Sequence, residues 1–263
     1  MHAFEFVKPA SLADAVAALR ADPEARPLSG GQTLIPTLKQ RLAQPSRLVS
    51  LAGMPELTGV SAENGALTIG AATPHAVVAR EAAQAFPALA RLAAGIGDPA
   101  VRNRGTIGGS LANNDPSACY PAAVLGTGAA IVTDRREIAA DDFFEGMFAT
   151  ALEEDEIIAR VRFPIPAAAD YQKFEQPASR FALVGVFVAR YDDHVRVAVT
   201  GASENGVFRW TEAEQALREN FAPEALDGLA LSPDGMIEDI HGTAAYRAHL
   251  AAVLTRRAVK NAN

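Results

Sequence analysis

Two Gly-Gly turns, one in Ser29-Gly30-Gly31-Gln32-Thr33 and one in Thr106-Ile107-Gly108-Gly109, restrict the fold of this chain more than any other feature. The first follows a strand expected over Arg26-Pro27-Leu28. It precedes a helix expected over Thr33 to Leu42, where Leu34, Ile35, Leu38 and Leu42 recur at close to helical spacing. Residues without a Cβ at the end of a strand let the backbone turn sharply and aim consecutive N–H groups at one point, so a pyrophosphate fits such a nest. The helix behind it adds the partial positive charge of its N-terminus, and Ser29, Gln32 and Thr33 offer further donors. A plain strand-to-helix turn that needs glycine only for positive φ accounts for the same residues equally well.

The second turn lies within Val101-Arg102-Asn103-Arg104-Gly105-Thr106-Ile107-Gly108-Gly109-Ser110, read as a loop that continues into the polar Leu111-Ala112-Asn113-Asn114-Asp115-Pro116. Its glycines would let the chain lie flat against a ring or a phosphate, with Thr106 and Ser110 as donors. The competing reading is a buried Ω-like loop whose Arg102 and Arg104 pair with an acidic surface. Neither turn decides the matter alone.

Exclusion narrows the chemistry. No G-x-G-x-x-G opens a helix and no G-x-x-x-x-G-K-S/T occurs, so neither a Rossmann nor a Walker site is signalled, and no G-x-S-x-G elbow appears. The single cysteine, Cys119, excludes an intrachain disulfide framework and any cluster held by thiolates of this chain alone. His2, His75, His194, His241 and His249 never fall at i, i+3 or i, i+4, so no metal site is expected. Redox chemistry here would need an organic cofactor or a partner chain. A net charge of −7 opposes nucleic-acid or anionic-membrane binding through the overall field. No apolar run reaches the roughly 18–20 residues of a membrane helix. Met1-His2-Ala3-Phe4-Glu5-Phe6 lacks a signal-peptide layout, so a cytoplasmic location is the expectation.

Ser11-Leu12-Ala13-Asp14 is a capping-box variant that starts a helix to Arg20. Strands are expected at Arg47 to Leu51, Leu67 to Ile69 and Ala129 to Thr133, and helices at Pro74 to Arg80 and Ala88 to Ala94. Pro164 to Ala169 reads as a linker. Beyond it, Ala182 to Tyr191 and Val195 to Ala202 flank Asp192-Asp193-His194 as an antiparallel hairpin, and Thr211 to Glu219 and Tyr246 to Val259 are helical. The acidic run Glu153-Glu154-Asp155-Glu156 reads as a solvated turn, Trp210 and Phe143-Phe144 as core or subunit contact, and Arg256-Arg257 to Lys260 as cations at a helix C-terminus. Cys119 reads as a small buried hydrophobe in preference to a thiol facing a cofactor.

In order, Leu28-Ser29-Gly30-Gly31-Gln32-Thr33-Leu34-Ile35-Pro36 and Arg102-Asn103-Arg104-Gly105-Thr106-Ile107-Gly108-Gly109 resemble the two FAD loops of one family. That family is the medium, flavoprotein subunit of the xanthine dehydrogenase and aerobic carbon monoxide dehydrogenase group of molybdenum hydroxylases. The likeness continues through Glu156-Ile157-Ile158 and Tyr171-Gln172-Lys173-Phe174 to Thr243-Ala244-Ala245-Tyr246-Arg247. It implies an α+β protein: a two-lobed FAD-binding domain of the vanillyl-alcohol oxidase (PCMH) type over 1–165, divided near residue 57, and a smaller C-terminal domain over 170–263 with an antiparallel sheet and helices.

Carried over by position, the resemblance implies that Leu28, Ser29, Gly30, Gly31, Gln32, Thr33 and Leu34 hold the pyrophosphate. It gives Thr106, Ile107, Gly108, Gly109 and Ser110 the phosphate, ribityl chain and flavin edge, and has Ile96 line the pocket. Asn113 and Asp115 are expected near the ribityl or adenosine portion, Ile158 against the isoalloxazine ring, and Lys173 close to the flavin. Where many relatives place an aspartate, this chain has Cys119, a weak hydrogen-bond partner, so that contact is either lost or supplied by Asp115.

By the same resemblance, electrons from a molybdenum-pterin centre on a large subunit pass through 2Fe-2S clusters on a small subunit to the FAD of this chain and then to an external acceptor. A dimer of heterotrimers is implied, and no residue of this chain need act as acid or base. The substrate (CO, a purine, an aldehyde or an N-heterocycle) and the acceptor (NAD, a quinone or dioxygen) stay open. The rival readings are a stand-alone FAD oxidoreductase of the same fold and a scaffold that has lost its flavin.

Overall fold

In the computed structural model, which describes residues 1–262, β1 (Glu5–Val7) leads to α1 (Leu12–Arg20), whose N-cap Ser11 accepts from the Asp14 N–H. Ser11 Oγ also donates to the Asp14 carboxylate at 2.7 Å. The aspartate closes onto the hydroxyl and not onto the backbone, because it is one methylene shorter than the glutamate of a full capping box. Next come β2 (Arg26–Leu28), α2 (Leu34–Lys39) and β3 (Arg47–Ser50), in a parallel sheet of order β1-β3-β2. Helix α2 is shorter than expected. Arg41 takes φ 61° and Leu42 N–H bonds back to Thr37 O at 3.1 Å, a Schellman close made without the usual glycine.

The second lobe is an antiparallel sheet with helices on it. In chain order it contains β4 (Val60–Glu63), β5 (Ala66–Gly70), α3 (His75–Glu81), α4 (Pro87–Ala94), α5 (Pro99–Arg102), α6 (Ile107–Asn113) and α7 (Tyr120–Thr127). There follow β6 (Ala130–Thr133), β7 (Glu137–Ala139), α8 (Ala140–Phe143), the small hairpin β8 (Phe144–Gly146) and β9 (Ala149–Thr150), and β10 (Ile158–Pro164). The sheet order is β4-β5-β10-β6-β7. The stretch expected as one long loop from Val101 to Pro116 instead contains α6, capped by Thr106, whose side chain accepts from Gly109 N–H. Sequence reading missed this helix because two glycines in its first turn depress helix propensity.

Half of the segment expected as a linker is sheet, and only Ile165, Pro166 and Ala167 join the two strands. Pro164 pairs with Ala66 at the end of β10, and β11 (Ala168–Glu175) begins at Ala168. It opens a four-stranded antiparallel sheet with β12 (Ala182–Arg190), β13 (Val195–Ser203) and β14 (Gly206–Arg209), followed by α9 (Thr211–Glu219) and α10 (Ala244–Asn261). Strand β12 is buried on both faces, hence its near-continuous apolar sequence. Val184, Val186 and Val188 pack with Trp210, Leu217 and Leu254, whereas Phe187 and Ala189 join the core of the second lobe with Tyr120 and Phe163. Helix α7 is buried along its whole length between the two sheets. Trp210 and Phe143 are core residues.

Glu156 corrects the reading of the acidic run. It is 5% exposed, and its carboxylate accepts from Arg136 at 2.8 Å and from Thr133 Oγ1 at 2.7 Å. The Arg136 guanidinium holds its carboxyl down to about 2. Glu153, Glu154 and Asp155 are the solvated part of the run, with Asp155 paired to Arg20 and Arg135.

Candidate functional site

The two glycine turns come from different lobes and touch. Ser29 Oγ and Thr106 Oγ1 lie 2.8 Å apart, and a Cβ on Gly30 would fall 2.2 Å from Arg104 O and 2.7 Å from Gly105 Cα. Gly108 is pressed the same way: its N–H donates to Ala71 O at 2.8 Å, and a Cβ there would meet the Ala71 methyl at 2.6 Å. Gly30 serves the contact between lobes, and Gly108 the packing of α6 on the turn after β5 within the second lobe. Gly31 is a glycine for its backbone, at φ 71°. Gly109 differs from all of them, being exposed, with only Thr106 Oγ1 at 3.0 Å and Ser29 Cβ at 4.0 Å near its missing Cβ.

Between the turns lies a cleft of about 620 Å³, within the range of organic-ligand pockets. All the residues singled out from sequence line it except Ile107 and Lys173. The Ile107 side chain is fully buried in the second-lobe core, because the first turn of α6 rotates it away from the cleft. The Lys173 ammonium is held by Gly95 O and Arg180 O, each at 2.7 Å, and lies 3.9 Å from Cys119 Sγ. It therefore ties the β11–β12 loop to the end of α4. Cys119 is both buried and part of the cleft wall, and burial pushes its thiol pKa up.

The N–H groups of Gly30, Gly31, Gln32 and Thr33 donate to no acceptor among the described residues. A row of unpaired donors at the foot of α2 is what a bound anion would satisfy. Asp115 Oδ1 accepts from Ser117 N–H at 2.8 Å, leaving its second oxygen for a hydroxyl, and Asn113 and Ser110 add polar groups. Leu51, Leu57, Ile96, Val101, Ile157 and Ile158 make the remainder apolar enough for a ring system. The donor row, the hydroxyl partners and the apolar walls together fit FAD.

Asn114, which follows α6, is 1% exposed at φ 42°. Its amide donates to Gly146 O at 2.7 Å and Ala149 O at 2.9 Å, fixing the β8–β9 hairpin to the helix that lines the cleft. The two arginines of the second turn are not on an acidic surface. Arg102 donates to Ile96 O and Gly97 O at 3.0 and 2.7 Å, and Arg104 is exposed without an ion pair among the described residues.

Sequence reading missed Ala71, His75 and the Ser179–Phe181 turn of the β11–β12 loop, all of which line the cleft. For His75 a signal existed: Gly70-Ala71-Ala72-Thr73-Pro74 joins the end of β5 to α3, a small-residue strand-to-helix turn like the other two. The Ser179–Phe181 turn had no local signal, since only the pairing of β11 with β12 brings it over the cleft.

A sequence model described as the FAD binding domain in molybdopterin dehydrogenase matches residues 2–166. The carbon monoxide dehydrogenase medium chain of Hydrogenophaga pseudoflava is 33% identical, over 98% of this chain and 96% of that one. The nicotine 6-hydroxylase medium subunit of Paenarthrobacter nicotinovorans is 35% identical, over 99% and 97%. A solved reconstituted CO dehydrogenase from Oligotropha carboxidovorans superposes with a TM-score of 0.90 at 32% identity, covering 99% of this chain and 98% of that one. Quinoline 2-oxidoreductase from Pseudomonas putida 86 superposes at 0.87, with 31% identity and coverage of 99% and 97%.

Proposed function

This chain belongs to the family of FAD-binding medium subunits of molybdopterin dehydrogenases, and from that premise we propose that it relays electrons from iron-sulfur clusters on a partner subunit, through FAD, to an external acceptor. It is the flavoprotein subunit of an oxidoreductase complex. FAD would supply the chemistry, since it can accept electrons singly and release them singly or as a pair. The work of the protein is to bind, orient and enclose.

The observation that carries the residue assignment is the row of unpaired N–H groups at Gly30–Thr33, set across the cleft from Thr106, Gly108 and Gly109. In this reading the row holds the pyrophosphate and Gly109 leaves room beside it. Ser110, Asn113 and Asp115 take ribityl and adenosine hydroxyls, and Ile96 and Ile158 flank the ring. Cys119 stands at the wall as a small apolar side chain, and Asp115 supplies the carboxylate contact. Residues 1–165 would carry the cofactor and residues 170–263 would brace it through the β11–β12 loop. A dimer of heterotrimers with a small iron-sulfur and a large molybdenum subunit is the assembly this implies.

The test is native purification with visible spectroscopy and identification of the copurifying chains. Flavin bands together with an iron-sulfur chain and a large chain support the reading; a flavin-free complex refutes it.

A further inference from the structure

His75 is 4% exposed, lines the cleft, and makes no side-chain hydrogen bond among the described residues. Its Nδ1 is sealed from solvent with no partner, whereas Nε2 is not sealed. Its main chain is fixed, the N–H donating to Gly105 O at 2.9 Å. The ring lies over Gly105, where an added Cβ would fall 2.6 Å from Nε2, and against Tyr120, with ring centroids 5.3 Å apart. Gly105 Cα is also the atom beneath Gly30. Nε2 thus sits at the seam where the two glycine turns meet.

The tautomer follows from burial. An orphaned buried N–H is rarer than an under-used acceptor, so the sealed Nδ1 carries the lone pair and Nε2 the proton. Burial first, and then the charge of Arg102, which is bound to the carbonyls of Ile96 and Gly97, disfavour a second proton. The result is a neutral imidazole presenting one N–H at the seam, with no acceptor for it among the described residues.

We propose that His75 is a cofactor-binding residue, donating from Nε2 to the diphosphate of the bound dinucleotide beside the N–H groups of Gly30–Thr33. This rests on the FAD reading above. A phosphate oxygen is the matching group because the donor row converges on the same seam and needs an anion. Gly105 is glycine so that the imidazole can lie across it, an explanation independent of turn geometry.

Glutamine places an amide nitrogen where Nε2 stands, and asparagine places it where Nδ1 stands. The flavin-stripped chain and its His75→Gln, His75→Asn and His75→Leu variants are titrated with FAD, and the bound diphosphate is followed by phosphorus NMR. The expectation is that H75L and H75N bind FAD roughly 10- to 100-fold more weakly, the worth of a hydrogen bond to a charged group, and H75Q within a few-fold of the parent. The phosphorus resonances shift in H75N while the flavin absorption envelope does not move. Equal FAD affinity in H75Q and H75N, or unshifted phosphorus resonances in H75N, overturns the proposal; both variants are polar, so it stays testable even if H75L does not fold. If the parent chain itself takes up no FAD, the reading beneath the proposal fails instead.

Discussion

Gly30 and Gly109 belong to matching sequence motifs, yet alanine at the two positions should do opposite things. At Gly30 a methyl would sit 2.2 Å from Arg104 O, 2.7 Å from Gly105 Cα and 2.8 Å from Arg104 C, all backbone atoms that no rotamer change can move. One whole turn must retreat by about 1 Å to restore van der Waals separation. Overpacking of this kind costs about 1–3 kcal/mol, and the retreat also strains the Ser29–Thr106 hydrogen bond, worth about 1 kcal/mol. The sum, roughly 2–4 kcal/mol, lowers the melting temperature of a chain this size by about 5–15 °C. At Gly109 the methyl meets only the Thr106 hydroxyl at 3.0 Å, and alanine in a helix regains about 0.5–1 kcal/mol of backbone entropy. Stability should then stay within about 1 kcal/mol of the parent, while the methyl projects into the cleft where the proposed site would hold the cofactor. Thermal melts of the flavin-free chains, followed by FAD titration, separate the two effects. The reasoning is refuted if Gly30→Ala melts with the parent, or if Gly109→Ala takes up FAD as well as the parent.

Asn114→Ala removes the buried amide that donates to Gly146 O and Ala149 O and puts alanine at φ 42°, so it should destabilise by about 2–4 kcal/mol in urea unfolding. Asn114→Gly, free of the backbone strain, should lose less. Burial lowers the His75 pKa from 6.5 to about 4, so its contribution to the stability of the flavin-free chain is intact above pH 6.5 and is lost as pH falls toward 4. That is up to about 3 kcal/mol, and His75→Gln should flatten the urea midpoint across this window. Glu156, held down to about 2 by Arg136, contributes in full above pH 4.5 and loses its contribution as pH falls toward 2, so acid unfolding should continue below the histidine window in both chains. Arg247→Met removes donors at 2.8 Å from Leu183 O and 2.7 Å from Gly201 O, and hydrogen exchange should quicken in β12 and β13. With its thiol pKa raised by burial, Cys119 should alkylate slowly at neutral pH in the native chain and quickly in denaturant.

The sequence by itself determined the elements with a local cause. Ser11 and its first turn announce α1, the alternation after Ala182 announces a hairpin, and strand, paired glycines and apolar period announce a turn with free N–H groups at its tip. The order of the two glycine motifs also pointed to the family. Where local signals were weak or contradictory the sequence misled: glycines concealed α6, a Schellman close without glycine shortened α2, and prolines concealed that β10 and β11 nearly abut.

The reason for each glycine was decided only in three dimensions. Gly30 is small because the other lobe's backbone lies against it, Gly105 because His75 does and Gly108 because Ala71 does, contacts between residues far apart in sequence that no local pattern encodes. The same holds for Ile107, turned into the core by the phase of α6, and for Lys173, drawn to two backbone carbonyls. The His75 side chain makes no hydrogen bond among the described residues, which is what singles it out. A turn's capacity to bind is a local property of its backbone. Whether a side chain faces that turn is settled by how the lobes pack.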